Sequence, residues 1–137
     1  KTKNKKHYHR KQEGWFFEQN LERCLISPSA VLLSTKLFHD YQGFNTGFPA
    51  CEDYDLWCQI TRDHPIGFNH DIGMVKYAGH ANQLSDLPFL DQYRLQTLEK
   101  LYNLEKNEVY RDKIKVVLDY KQRIVEIGRC KKLNQRF

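Results

Sequence analysis

Cys51-Glu52-Asp53-Tyr54-Asp55-Leu56-Trp57 puts three carboxylates within four residues, directly after the loop Asn45-Thr46-Gly47-Phe48-Pro49 and directly before a run that ends at His64-Pro65. Gly47 and Pro49 mark the loop. From Asp53 onward Trp57, Ile60 and Thr61 recur at the spacing of one helix face, and Pro65 follows as a stop signal, so the pattern predicts a helix over 53–63 with the acids in its first turn. Backbone N–H groups are unpaired there and the macrodipole is positive, which favours ionised carboxylates and nearby anions. Ordinary capping explains such acids as well as chemistry does, and the local pattern leaves both readings open. Asp53-Tyr54-Asp55 also spells the D-x-D of a metal site. Residues two apart on a helix point about 200° away from each other, so these two carboxylates do not share one ion.

Upstream, Trp15-Phe16-Phe17 with Leu21 and Leu25 predicts a short helix or turn over 15–23. Residues 25–33 are apolar and β-branched enough for a buried strand, with Pro28 at its end or at a bulge because it lacks an N–H. Ser34 suits the N-cap of a helix over 35–41, closed by Gly43. Downstream, 66–68 and 74–77 read as two short strands joined by a polar turn over 69–73. From 89 onward Leu90, Tyr93, Leu98, Leu101 and Tyr102 form one apolar stripe. Tyr110, Ile114, Val117, Leu118, Ile124 and Val125 form another, ended by Gly128, so that 89–128 predicts a helical hairpin with a polar connection over 103–108.

The 137 residues are one domain's worth of chain. The net charge of +5 resides in the ends: 1–11 carry six Lys/Arg and 128–137 carry four, with no acid in either, while the body is net negative. We therefore read 1–13 as a basic lead-in and 129–137 as a basic tail, with no nucleic acid as partner and room for peripheral contact with an anionic membrane surface. Cys24, Cys51, Cys58 and Cys130 show no paired spacing and read as reduced thiols, which together with the lack of a signal peptide or a bilayer-length apolar run leads to a cytoplasmic expectation, membrane association left open.

Four motifs together carry a resemblance: Ile26-Ser27-Pro28-Ser29-Ala30-Val31-Leu32-Leu33; Tyr41-Gln42-Gly43-Phe44-Asn45; Pro49-Ala50-Cys51-Glu52-Asp53-Tyr54-Asp55-Leu56-Trp57; and Val75-Lys76-Tyr77 with His80-Ala81-Asn82-Gln83-Leu84-Ser85. In this order the chain resembles the C-terminal half of a family 2 glycosyltransferase of the GT-A fold, over roughly residues 14–105. The resemblance implies an α/β class: 14–88 as the C-terminal half of a Rossmann-like GT-A domain with a few short strands, followed by the helical hairpin. It implies an inverting, metal-dependent transfer of a sugar from a nucleotide-sugar donor to an acceptor hydroxyl. Asp53 then matches the general base, Glu52 orients the acceptor or loop, Ser27 and Ser29 lie beside the substrate pocket, and Trp57 forms part of a sugar platform. His80 matches the position that supplies a ligand to the divalent ion, Mn²⁺ or Mg²⁺. For each there is a plainer alternative: hydroxyls that turn the backbone, an indole in the core, a surface imidazole.

The rival reading is a non-catalytic fragment or interaction module of the same architecture; a metal-dependent hydrolase built on Asp53, Asp55 and His80 is weaker, for want of a second ligand pair. The stretch matched is about half of a GT-A domain, so the fragment alone is expected to be inactive and to self-associate through an exposed sheet edge.

Overall fold

The computed structural model describes residues 13–75 and 90–134, with side chains described as far as residue 130. Five α-helices follow in order: α1 Phe17–Glu22, α2 Thr35–Asp40, α3 Glu52–Asp63, α4 Leu90–Leu104 and α5 Glu108–Asn134, with a 3₁₀ turn at Pro28–Ala30 between α1 and α2.

α3 is the axis of the molecule. Tyr54, Asp55, Leu56, Trp57, Cys58, Ile60 and Thr61 are all buried, which covers nearly its whole circumference and marks a helix enclosed on all sides. On one side Tyr54 and Cys58 pack with Phe17 and Leu21 of α1, Leu98 and Leu101 of α4, and Ile114 and Leu118 of α5. On the other, Leu56, Trp57 and Ile60 pack against Ile26, Val31, Leu33, Leu37, Phe38 and Tyr41. α1 is fastened by polar bonds as well: Tyr54 donates to the Leu21 carbonyl at 2.6 Å, and the fully buried Asn20 accepts from the Leu25 N–H at 3.2 Å.

The short helices are bounded by local chemistry. Ser34 caps α2, its hydroxyl accepting from the Leu37 N–H at 3.1 Å. The far end of α2 turns through Gln42 and Gly43, both at positive φ, with the Gly43 N–H donating to the Phe38 carbonyl at 2.8 Å. At the hairpin, Asn107 caps α5 by accepting from the Tyr110 N–H at 3.2 Å. Glu105 receives the Asn107 N–H at 2.8 Å and is gripped by both nitrogens of the Arg62 fork, tying the connection to α3.

The α/β expectation is overturned. No strand or sheet occurs among the described residues, and nothing Rossmann-like is supported; the chain there is helical. Residues 25–33 are broken by the 3₁₀ turn at Pro28–Ala30. Val31 beyond it has extended dihedrals, φ −118° and ψ 137°, and Val31 and Leu33 face α3 while Leu32 is fully exposed. This is the period of a strand without the neighbour that would make it one. Around Ile66 there is a single antiparallel bridge to Gly14, both bonds 2.7 Å, and not a ladder. Of 74–77, Met74 and Val75 are not in a strand and the rest lies outside the described residues. α5 also runs through Gly128 to Asn134 rather than ending there.

Candidate active site

The acidic stretch forms the first turn of α3, entered through a sharp corner. Cys51, the N-cap, has φ 66° and ψ 16°, a left-handed conformation that costs a residue with a Cβ on the order of 1–3 kcal/mol. Its side chain makes no capping bond; it stays buried, the thiol donating to the Leu90 carbonyl at 3.7 Å. The unpaired N–H groups of the first turn therefore need another acceptor. Asp53 serves one of them, Oδ1 accepting from the Tyr54 N–H at 2.7 Å. Its Oδ2 receives the Cys24 thiol at 3.5 Å, and that thiol also reaches the Ile26 carbonyl at 3.3 Å. Burial, then the neighbouring Asp53 charge, pushes the Cys24 thiol up to about 12, so Cys24 stays protonated and donates to the carboxylate.

Asp55 points into different surroundings. It is buried; Oδ1 accepts from the Thr97 hydroxyl of α4 at 2.9 Å, Oδ2 from the Gln59 amide at 3.0 Å, and Lys100 stands 3.8 Å away. The two carboxylates of Asp53-Tyr54-Asp55 are thus committed to separate partners, one toward the segment after α1 and one toward α4. Glu52 is half-buried beside Asp53. Behind them, Arg94 of α4 stands 6.0 Å from the centre of the Tyr54 ring and donates to Asp91 at 3.0 Å.

The structure brings Glu52, Asp53 and Cys24 together. Ser27 and Ser29 flank Pro28, their hydroxyls 3.0 Å apart, and Ser27 follows the Ile26 carbonyl that Cys24 touches. Trp57 is on the same helix but only 3% exposed, edge-on to Phe44 with centroids 6.1 Å apart; neither of its ring faces is open to a sugar in this arrangement. His80 lies outside the described residues. Among those described, no group of three His, Cys, Asp or Glu could hold a metal ion, so the divalent ion implied by the resemblance finds no ligand set there. Sequence reasoning missed Cys24, which has no spacing signal, and the Asp55–Thr97 bond, which joins residues 42 apart.

A stretch of 63 residues is 40% identical to an uncharacterized glycosyltransferase of Rickettsia felis and, equally, to one of Rickettsia conorii; a third, from Rickettsia bellii, is 36% identical over the same length. That stretch is 46% of this chain but only 10% of the first two relatives and 9% of the third. The chain matches no protein-family model and no solved structure. No helix among the described residues is long and apolar enough to cross a membrane.

Proposed function

We propose that this chain is part of a glycosyltransferase, and that the first turn of α3 lies in its acceptor site. The observation that carries the reading is the 40% identity over 63 residues to proteins named as glycosyltransferases. Two features of the chain support it: the partly buried Glu52-Asp53 pair at a helix N-terminus, and its resemblance to family 2 enzymes, which favours inversion with a nucleotide-sugar donor.

In this mechanism the acceptor hydroxyl takes the place of the Cys24 thiol at Oδ2 of Asp53. Asp53 accepts the hydroxyl proton as the oxygen attacks the anomeric carbon; the bond from that carbon to the departing diphosphate breaks on the opposite face, and the configuration inverts. Glu52 orients the acceptor, and Ser27 and Ser29 border it. Trp57 supports this turn from the interior, and exposure of one ring face would be needed for it to stack on a sugar. His80 is our candidate ligand for a divalent ion in the whole protein, where such an ion would offset charge on the departing diphosphate.

The test is transfer by the whole protein, measured with a panel of nucleotide sugars and hydroxyl acceptors. Asp53→Asn keeps the shape but cannot take the proton, and should lower the rate about 10²- to 10⁴-fold with donor binding retained. His80→Ala should raise the Mn²⁺ concentration needed for half-maximal rate. Wild-type rates in Asp53→Asn would remove Asp53 from the reaction. A second reading rests on the occupied oxygens of Asp53: a cap and nothing more, in a module that performs no transfer. It predicts that Asp53→Asn changes the melting temperature and no rate.

A further inference from the structure

α5 carries two apolar faces, and only one is used within the described chain. Ile114 and Leu118 are in the core. On the opposite side Val109, Val116, Tyr120 and Ile127 are each more than half exposed. Their intervals of seven, four and seven residues put all four within about 20° of one line along the helix, in a stripe about 27 Å long. Asp112 and Arg123 lie together on one flank of this stripe, toward its two ends, and neither makes an ion pair or hydrogen bond among the described residues. On the other flank Lys113 is already engaged by Glu18.

We infer that this stripe binds a second copy of the chain, the two α5 helices antiparallel about a twofold axis between Val116 and Tyr120. That axis sets Val116 against the partner's Tyr120 and Val109 against the partner's Ile127. A twofold of this kind brings each flank against the same flank of the other copy. Asp112 therefore meets the partner's Arg123, within about one residue's rise along the axis, and the reverse pair forms by symmetry. Parallel pairing joins opposite flanks instead, which puts Asp112 beside the partner's already engaged Lys113 and leaves Arg123 without an acid. Antiparallel packing also opposes the two helix dipoles. One helix face is smaller than the about 1,200–2,000 Å² of a standard stable interface, so the dimer is reversible and concentration-dependent. The association expected at a sheet edge loses its basis in a helical chain; this face supplies another, independent of the transfer reading.

Sedimentation velocity on the 137-residue chain, in reducing buffer from low micromolar to near-millimolar concentration, tests the register. A monomer–dimer equilibrium is expected. Tyr120→Lys, on an exposed position, should leave a monomer throughout with its far-ultraviolet circular dichroism unchanged. Asp112→Arg and Arg123→Asp should each weaken the dimer about tenfold, because each turns two attractive pairs repulsive. The double variant Asp112→Arg/Arg123→Asp should recover wild-type affinity. A wild-type monomer at every concentration would mean that some other partner, or another part of a longer protein, covers the stripe. Either that result, a dimer indifferent to Tyr120→Lys, or single charge reversals that the double variant does not rescue overturns the proposal.

Discussion

Asp55 and Asp53 are two residues apart and hold different parts of the chain. Asp55 is the deeper: its carboxylate is 4% exposed and satisfied by Thr97 and Gln59, with Lys100 near. Replacing it by Ala removes the acceptor for the buried Thr97 hydroxyl and opens a gap between α3 and α4, so Asp55→Ala should cost about 1–3 kcal/mol. Thermal unfolding of Asp55→Ala beside Asp53→Ala checks this; Asp53, only partly buried and partnered by a backbone N–H and a thiol, should lose less. Equal losses would show that the buried bond to Thr97 adds nothing. Capping was legible at Asp53 because a first-turn carboxylate is a local pattern. The role of Asp55 was not, because its partner in α4 enters only when the chain folds back. The burial of Trp57 was legible from its place on the apolar face of the helix, but not its partners Val31, Leu33 and Phe38, which arrive from elsewhere in the chain.

Among elements, α2 shows how far local signals reach. Ser34 and Gly43 were readable as its limits, because a hydroxyl cap and a glycine at positive φ act within one turn. Gly43 has φ 64°, and a Cβ there would lie 2.7 Å from Cζ of the Phe38 ring. Gly43→Ala should therefore destabilise the chain by about 1–2 kcal/mol, from left-handed strain together with displacement of that ring. Gly128→Ala is the contrast: it is inside α5 with open space around its Cβ position, and should stabilise by up to about 1 kcal/mol. Denaturant melts of the two variants should move the midpoint in opposite directions; shifts of the same sign would contradict this account. The sequence misread Gly128 as a helix end because a mid-helix glycine is a modest cost, which the length of α5 absorbs. It misread 25–33 and 66–68 as strands for a different reason. Extended, β-branched residues satisfy the local half of the requirement, and a strand needs a neighbouring backbone that no local pattern specifies.

Among the ion pairs that join helices in the described residues, two joints contain acids held below their ordinary pKa. Glu105, its side chain 2% exposed, is kept down at about 2 by the Arg62 guanidinium, against burial that pushes the other way. Asp91 is opposed by burial too, but its bonds from Lys121, at 2.9 Å, and from Arg94 prevail and lower it. The first joint fixes α3 to the turn before α5, and the second fixes α5 to α4. A carboxylate depressed in the folded state gives stability that is complete above its unfolded pKa and is lost as pH falls through its folded pKa. For Glu105 that window runs from the ordinary value of 4.5 down to about 2. The melting temperature should therefore change little from pH 7 to 5 on account of this group, then fall steeply below pH 4.5. Arg62→Ala removes the partner and leaves Glu105 confined, costing about 2–3 kcal/mol at neutral pH, toward the lower end for a broken buried pair because the guanidinium is one-third exposed. In that variant only the backbone N–H groups of Asn107 and Lys106 still hold Glu105 down, against its burial, so most of its share of the acid loss should disappear and the two melting curves should draw together as the pH approaches 2. Parallel curves, separated by the same interval at pH 7 and pH 2, would show that the Arg62–Glu105 joint contributes through packing and not through charge.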